Sequence, residues 1–227
     1  MNYQEAAPEG YGPSDAETGF VPGYAFTVSG TPDVLGVPLY MGLNYAHSGA
    51  NMTYKAGNFR TLDDAHFYTV GGKLGVPFYF GRNGAVVPYV SGGYRHWNRN
   101  LMGAGGYDEV YSNEYAGLGV SAYYALNSRF VVGANIHADL IVGGHVRAYD
   151  FPVLRPGEVI DAPFGDSASE SVGLSANYRL NKVVGLYGDI GYAHLHYTGG
   201  AANIPGIFEP ASQTNQVSVG AGVRVYF

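Results

Sequence analysis

Apolar and polar residues alternate without a break over the last part of the chain, residues 216–227, which read QVSVGAGVRVYF. Because successive side chains of a strand point to opposite faces, this pattern predicts a strand with one apolar face. At about 3.3 Å per residue, the segment reaches roughly 40 Å, which is enough to cross the hydrocarbon core of a tilted barrel wall. The apolar positions are Val217, Val219, Ala221, Val223, Val225 and Phe227.

The same alternation recurs along most of the chain, and polar connections separate the alternating segments. Long links alternate with short turns, which is typical of up-and-down barrels with short turns on one rim and long loops on the other. If the weakly alternating residues 1–7 form the first strand, the sequence predicts one all-β domain over residues 1–227, an antiparallel transmembrane β-barrel of ten strands. If they do not, the alternative is eight strands, because bacterial barrels have even strand numbers, and residues 21–29 would then be a tail or a plug.

The predicted strands after the first are residues 21–29, 37–48, 66–80, 85–97, 114–126, 129–146, 168–180, 183–198 and 213–227. The predicted long links are residues 8–19, 49–64, 98–113, 147–167 and 199–212. The predicted short turns are residues 30–36, 81–84, 127–128 and 181–182.

Aromatic residues on the apolar faces lie near the strand ends. Tyr45, Tyr68 and Tyr192 lie toward the long links. A barrel wall places two such belts at the two lipid–water boundaries, whereas a soluble sandwich or lipocalin-like barrel, the alternative fold, has no reason to sort them. The predicted girdle at the short-turn ends comprises Phe78, Phe80, Tyr124, Phe130, Tyr178 and Phe227.

The alternation, the loop asymmetry and the terminal Phe227 together resemble the Gram-negative outer-membrane β-barrel proteins. The resemblance covers nearly the whole chain, but it is architectural and indicates the class without a particular member. It implies a location in the bacterial outer membrane, contact with its lipid bilayer, and recognition of the closing strand by the outer-membrane insertion machinery. The amino end shows no signal peptide, so we also expect that one has been removed.

Composition narrows the alternatives. Charged residues make up 13% of the chain, glycine occurs 35 times and tyrosine 21 times. No run of about 18 apolar residues exists, which excludes a transmembrane helix. The chain has no cysteine, which excludes disulfides and thiolate metal sites. The net charge of −6 argues against a nucleic-acid partner.

The polar face predicts the content of the lumen. A mutually paired interior that fills a narrow barrel is the preferred interpretation, and a selectivity lining is the alternative. From an assumed pairing of Thr198 with Gln213, we predict that Tyr187 faces Arg224 and that Asp189 forms an ion pair with Arg224. The predicted lumen network comprises Lys73, Arg95, Asn135, His137, Asp139, Asn177, Arg179, Tyr187, Asp189 and Arg224.

Catalytic and metal sites find little support in the sequence. His137 and Asp139 share the inward face, and with Asp63 and Asp64 they are similar to the Asp–His and acidic pairs of a ten-stranded outer-membrane protease. However, adjacent Asp63 and Asp64 would diverge on a strand, so lumen-filling roles are the better interpretation. His194 and His196 have no third metal ligand, and no cofactor motif is credible.

We therefore expect a non-enzymatic outer-membrane barrel that acts as a structural or surface-interaction protein. Its long extracellular loops, rich in Tyr, Asn and Gly, would contact a surface partner, and it would need no cofactor or metal. The alternatives are a small-solute channel of the porin-like kind and a hydrolase or protease at the rim.

Overall fold

The computed structural model describes residues 1–5, 15–152 and 154–227. Among these residues, no helix is long and apolar enough to cross a membrane. The predicted first strand is present over its described part, and residues 15–18 of the predicted first loop form a second strand. The rest of that loop lies outside the described residues.

The strands are β1 (Asn2–Glu5), β2 (Asp15–Thr18), β3 (Gly23–Gly30), β4 (Asp33–Val34), β5 (Val37–Pro38), β6 (Tyr40–Ala56), β7 (Phe59–Gly75), β8 (Phe78–Phe80), β9 (Gly84–Asn100), β10 (Asp108–Ala125), β11 (Phe130–Tyr149), β12 (Ile160–Pro163), β13 (Ser167–Arg179), β14 (Val184–Tyr197), β15 (Gly200–Ala201), β16 (Phe208–Glu209) and β17 (Ser212–Val225).

The strand order closes on itself and forms a barrel. Around the ring, β10, β11, β13, β14, β17, β1, β2, β6, β7 and β9 follow one another, and β9 pairs again with β10. Strands β2 and β3 form one wall position because both pair with β6 in one register, from Asp15 opposite Ala56 to Gly30 opposite Met41. All the pairings are antiparallel, so the predicted ten-stranded up-and-down barrel is confirmed and the eight-stranded alternative is wrong.

The apolar residues of the strands point outward. Ile136, Leu140 and Leu174 are 60%, 68% and 61% exposed, whereas the inward Asp139 is 3% exposed. This distribution is the reverse of a soluble protein core, where large aliphatic side chains are buried and carboxylates are not. A band of exposed apolar side chains therefore lies on the outside of these strands next to the short turns.

Two of the short turns share one local structure. The side-chain oxygen of Asn127 accepts hydrogen bonds of 2.9 Å from the backbone amides of Arg129 and Phe130. Asn181 accepts equivalent bonds of 2.8 and 2.9 Å from Val183 and Val184. Asparagine favours such turns because its short side chain can bond backbone amides two and three residues ahead.

The barrel extends beyond the apolar band on the side away from the short turns, and we call this part the outer extension. Strands β6 and β7 continue to a turn at residues 57–58, and β9 and β10 are joined by residues 101–107. The predictions of long polar links at residues 49–64 and 98–113 are therefore wrong, since most of these residues belong to strands. The two later links contain the short strands β12, β15 and β16.

The buried apolar core lies inside the outer extension. Its members come from seven strands, β1, β6, β7, β9, β10, β11 and β12, so the barrel is filled at this height by its own side chains. Tyr3, Met52, Ala65, Trp97, Tyr111, Val146 and Ala162 form this core.

Candidate functional site in the barrel lumen

A polar network occupies the middle of the lumen, where Arg95, His137 and Asp139 meet. The Arg95 guanidinium is paired with the Asp139 carboxylate, and it also donates a 3.0 Å hydrogen bond to the Ser169 hydroxyl. Ser169 donates a 3.0 Å bond to the same carboxylate, and His137 Nε2 lies 2.7 Å from its other oxygen. The structure thus brings these three residues of the predicted lumen network together, and Ser169 joins them.

Glycine makes this network possible on strand β10. Gly117 lies opposite Asp139 and Gly119 opposite His137. A Cβ at Gly117 would overlap the Asp139 carboxylate, and one at Gly119 would overlap the Tyr89 ring. The inward side chains of the neighbouring strands can therefore lie across β10 because β10 has no side chains at these two positions.

The Ser91, His137 and Asp139 side chains do not have the geometry of a catalytic triad. Ser91 Oγ and Asp139 Oδ1 both lie 2.7 Å from the same ring nitrogen, His137 Nε2. A triad needs its serine and carboxylate on opposite nitrogens, so that the ring can take a proton from one and be held by the other. The arrangement suits a structural network that fixes the ring.

The two lumen cations near this network lie on aromatic faces. The Arg95 guanidinium carbon is 4.2 Å from the Tyr115 ring centre, and Lys73 Nζ is 4.5 Å from that of Tyr89. Lys73 Nζ also donates a 3.4 Å hydrogen bond to the Tyr89 hydroxyl. Such contacts neutralise part of the cost of burying a cation.

The remaining predicted lumen residues do not join this network. Asn135 lies over Gly173, and Asn177 is buried with a side-chain oxygen that has no partner among the described residues. Near the short-turn rim, the Arg179 guanidinium carbon lies 4.5 Å from the Tyr226 ring centre.

The predicted ion pair between Asp189 and Arg224 is wrong. Asp189 lies opposite Gly220 and Arg224 lies opposite Gly185, and the ion pairs of the described residues do not include them. The register differs by two because β14 and β17 first pair at Tyr197 and Ser212, one residue earlier on each strand than assumed. Tyr187 consequently covers Gly222 rather than facing Arg224.

A second polar site, absent from the prediction, lies in the outer extension around Arg99. The Arg99 side chain is fully buried. Its Nε donates a 2.7 Å hydrogen bond to Glu17, and its Nη1 pairs with Glu109 and donates a 3.0 Å bond to the Tyr111 hydroxyl. Glu5 lies 3.6 Å from the same nitrogen. We call Arg99, Glu5, Glu17, Glu109 and Glu209 the Arg99 cluster.

The Arg99 cluster holds more carboxyl groups than its single guanidinium can balance. Burial raises the pKa of Glu5 and of Glu17 to about 7, against the attraction of Arg99. Burial also raises the pKa of Glu109 and of Glu209. Oε1 of Glu209 accepts a 2.9 Å hydrogen bond from the Tyr111 hydroxyl. Part of the cluster is therefore protonated near neutral pH, which removes most of the uncompensated negative charge.

Directly beneath the Arg99 cluster, five aromatic rings cross the lumen in a row, which we call the aromatic layer. Successive ring centres are 5.2, 5.0, 5.7 and 4.6 Å apart. Tyr3 adds an edge-on contact of 5.0 Å to the Trp97 ring. The aromatic layer runs through Phe67, Trp97, Tyr111, Phe164 and Tyr197.

A cavity of about 850 Å³ lies below the aromatic layer, and we call it the chamber. Trp97, Tyr111 and Tyr197 line it, as do Arg95 and Asp139 of the polar network. A space of this volume is within the range of small-molecule pockets. The lumen is thus closed toward the outer extension and hollow beneath it.

The other candidate sites of the sequence are dispersed. Asp63 is buried and accepts a 2.6 Å bond from the Asn100 amide, whereas Asp64 lies at the surface, 3.3 Å from His66. The two carboxylates diverge, as expected for neighbours on a strand. His194 bonds Asn215 at 3.0 Å, and the described residues contain no group of three or more potential metal ligands.

The predicted aromatic girdle lies on the outer surface near the short turns. Phe80 and Tyr124 both lie opposite Gly84, and Phe130 lies opposite Tyr178 with ring centres 6.5 Å apart. Phe78 and Phe227 are exposed beside them.

Comparison with known proteins adds no family to this description. The chain matches no protein-family model, and a search of curated proteins finds no match.

Proposed function

We propose that the protein is a bacterial outer-membrane barrel with a closed lumen, and that it acts as a structural or surface-interaction protein without catalysing a reaction. The observation that carries this proposal is the combination of the aromatic layer with the Arg99 cluster, because together they fill the barrel with packed and bonded side chains. A transport pathway would need open polar space at this height.

The membrane location is supported by the band of exposed apolar side chains. In water, a contiguous apolar surface of this extent promotes aggregation, whereas in a bilayer the same side chains contact acyl chains. The exposed girdle aromatics lie at one edge of the band, as expected at a lipid–water boundary. The insertion machinery would then recognise β17 and the exposed Phe227.

Spin labels test this location in liposomes. Labels at Ile136 and Leu174 should be relaxed strongly by bilayer-dissolved oxygen, because both side chains point outward within the band. Labels at the adjacent inward positions Asn135 and Ser175 are the matched controls and should be relaxed much less. Equal oxygen accessibility at adjacent positions would contradict the transmembrane orientation.

A surface-interaction role is supported by the apolar side chains at the outer tips. Phe59 follows the turn between β6 and β7, Met102 lies between β9 and β10, and Phe208 lies in β16. All three are exposed, although they lie far from the apolar band. Exposed apolar residues beyond the bilayer are suited to contact with a protein partner.

A small-solute channel is the second candidate, and the chamber with its charged wall is the observation that favours it. Planar-bilayer recording separates the two. The unchanged protein should show no steady conductance, and Trp97→Ala should add openings because it removes a central ring of the aromatic layer. Phe208→Ala, at an exposed tip, is the control and should not. Steady conductance of the unchanged protein would favour the channel.

A further inference from the structure

The barrel wall has a seam between β3 and β17, in the half nearest the short turns. Strand β17 pairs with β14 over its whole length but with β1 only from Ser212 to Asn215. Among the described residues, β3 pairs with β6 and with no second strand. One edge of each strand therefore presents backbone amides and carbonyls without ladder partners, which is costly in any wall that meets lipid.

The seam is one strand wide, because β1 occupies the same gap in the outer extension. Asn2 lies opposite both Thr18 of β2 and Asn215 of β17. The ladder continues to Met1, whose amino group donates to the Gly19 carbonyl at 2.9 Å and whose carbonyl accepts from the Gly19 amide at 3.2 Å. Since β2 and β3 share one register, β3 and β17 continue the two edges between which β1 lies.

Side-chain exposure also indicates that the wall is open between β3 and β17. Every residue from Gly23 to Gly30 is exposed, on both faces of β3, and residues 216–219 of β17 are exposed on both faces too. Strands β11 and β13, which lie away from the seam, alternate between exposed and less exposed residues over most of their length. The chamber is lined by inward residues and also by Phe26, Val219 and Val223 of the outward faces. The chamber is therefore continuous with the outside of the barrel through the seam.

We propose that the seam is a binding site for a single extended polypeptide strand, a segment of about nine residues that continues β1 on the amino side of Met1 and pairs with both edges. In the register of β1, its residues would face positions 217–225 of β17 on one side. On the other side they would face residues 20–28, of which residues 23–28 belong to β3. Its outward residues would lie beside Val28 and Val219 and should be apolar. Its inward residues would face Gly220 and Gly222 and cover the open side of the chamber.

A segment joined to Met1 fits this site better than a separate peptide or a second copy of the chain. Met1 already occupies the first ladder position on the β2 side, so a joined segment begins in register and loses no translational freedom on pairing. A separate peptide would lose translational freedom on binding, and it would bury two charged chain ends, its own carboxylate and the Met1 ammonium, within the wall. The inference uses only ladder geometry, so it stands apart from the proposed membrane location and function.

The test compares the protein in detergent micelles with a variant that has nine additional residues fused before Met1. In the fused segment, apolar residues at the outward positions alternate with serine or glycine at the inward positions. Hydrogen–deuterium exchange is read at the amides of β3 and of residues 217–225. In the unchanged chain the free-edge amides should exchange rapidly. In the fused variant they should exchange at least about tenfold more slowly. A matched fusion with three of the residues changed to proline should leave exchange fast, because proline cannot donate to a ladder.

A cysteine pair checks the register, since the chain has no cysteine of its own. Cysteine at the fifth fused residue from Met1, together with Ala221→Cys, should form a disulfide without added linker, whereas cysteine at the fourth fused residue should not pair with it. Slow exchange of the seam edges in the unchanged monomer would overturn the proposal. So would slow exchange that appears only with dimer formation, or a folded fused variant that gains no protection and no disulfide.

Discussion

Replacing Arg99 by methionine is the most direct test of the Arg99 cluster. The substitution keeps most of the apolar volume but removes the hydrogen bonds to Glu17, Glu109 and Tyr111. Breaking a buried ion pair by removing one partner typically costs about 3–5 kcal/mol, because the other charge stays buried without compensation. We expect a loss of this size in the free energy of unfolding at pH 8.

The loss should be smaller at low pH. In the folded protein, the pKa of Glu5 and of Glu17 is about 7, above the ordinary glutamate value of 4.5. Between these values the folded state binds protons that the unfolded state has released, so stability falls as pH rises through this window and levels off above about 7. Without Arg99 these pKa values rise further, so the fall continues to higher pH. At pH 5 the cost should be lower by about 1–2 kcal/mol, since one pKa unit corresponds to about 1.4 kcal/mol.

Trp97 provides the assay, because it is the only tryptophan and its ring lies 5.2 Å from the Arg99 guanidinium carbon. Denaturant unfolding in micelles, followed by tryptophan fluorescence at pH 5 and pH 8, gives the two free energies. Arg147→Met is the matched control: Arg147 pairs with Asp161 at 3.0 Å on the surface, and its removal should have no measurable effect. Equal losses for the two variants, or an Arg99→Met loss that does not change with pH, would refute the reasoning.

Two further predictions concern the wall. If the protein spans a bilayer as proposed, Ile136→Arg should lower its free energy of unfolding there by about 2–4 kcal/mol, because it places a charge in the apolar band, whereas Leu62→Arg in the outer extension should cost little. Equal costs would contradict the position of the band. Asn181→Ala should cost about 1 kcal/mol in denaturant unfolding, because it removes the side-chain oxygen that accepts two backbone amides, and Lys182→Ala in the same turn should be neutral. A neutral Asn181→Ala would show that the turn forms without these bonds.

The barrel could be predicted from the sequence because strands with an outward apolar face and an inward polar face carry a simple alternating signal. On β6, Met41, Leu43 and Tyr45 alternate with inward polar or small residues, and this pattern predicted the first half of the strand and its two faces. The order of the connections predicted its place in the ring. The short turns at residues 127–128 and 181–182 could also be predicted, since each begins with an asparagine that forms an Asx turn.

The outer extension was missed because the phase of the alternation inverts there. On β6 the apolar residues beyond Ala50 are Met52 and Tyr54, which point inward, while Thr53 and Lys55 point outward. In the outer extension the apolar side chains pack inside the barrel and the polar ones lie outside, as in a protein wall that meets water. If a strand is predicted from one continuous apolar face, this inversion is mistaken for the end of the strand. The inversion instead marks the boundary between the apolar band and the outer extension.

Side-chain partners in the lumen were harder to predict than the faces. An error of one residue per strand at the start of β17 moved Arg224 away from Asp189 without changing which way either side chain points. Arg95 and Asp139 come together across β10, two strands apart, and no local sequence pattern reports such a contact.

The turn at residues 57–58 has a consequence for how anything could attach to this protein. Strand β6 continues for about eleven residues beyond Tyr45, which raises its tip by roughly 25 Å for a tilted strand. The tip is therefore a rigid, fully paired hairpin rather than a flexible loop. A proteinase added to the protein in detergent micelles should cut this hairpin slowly, because cleavage needs an extended, freely moving backbone. A ligand that docks on the tip would likewise immobilise little backbone, so it could bind with a small entropic cost and fast kinetics.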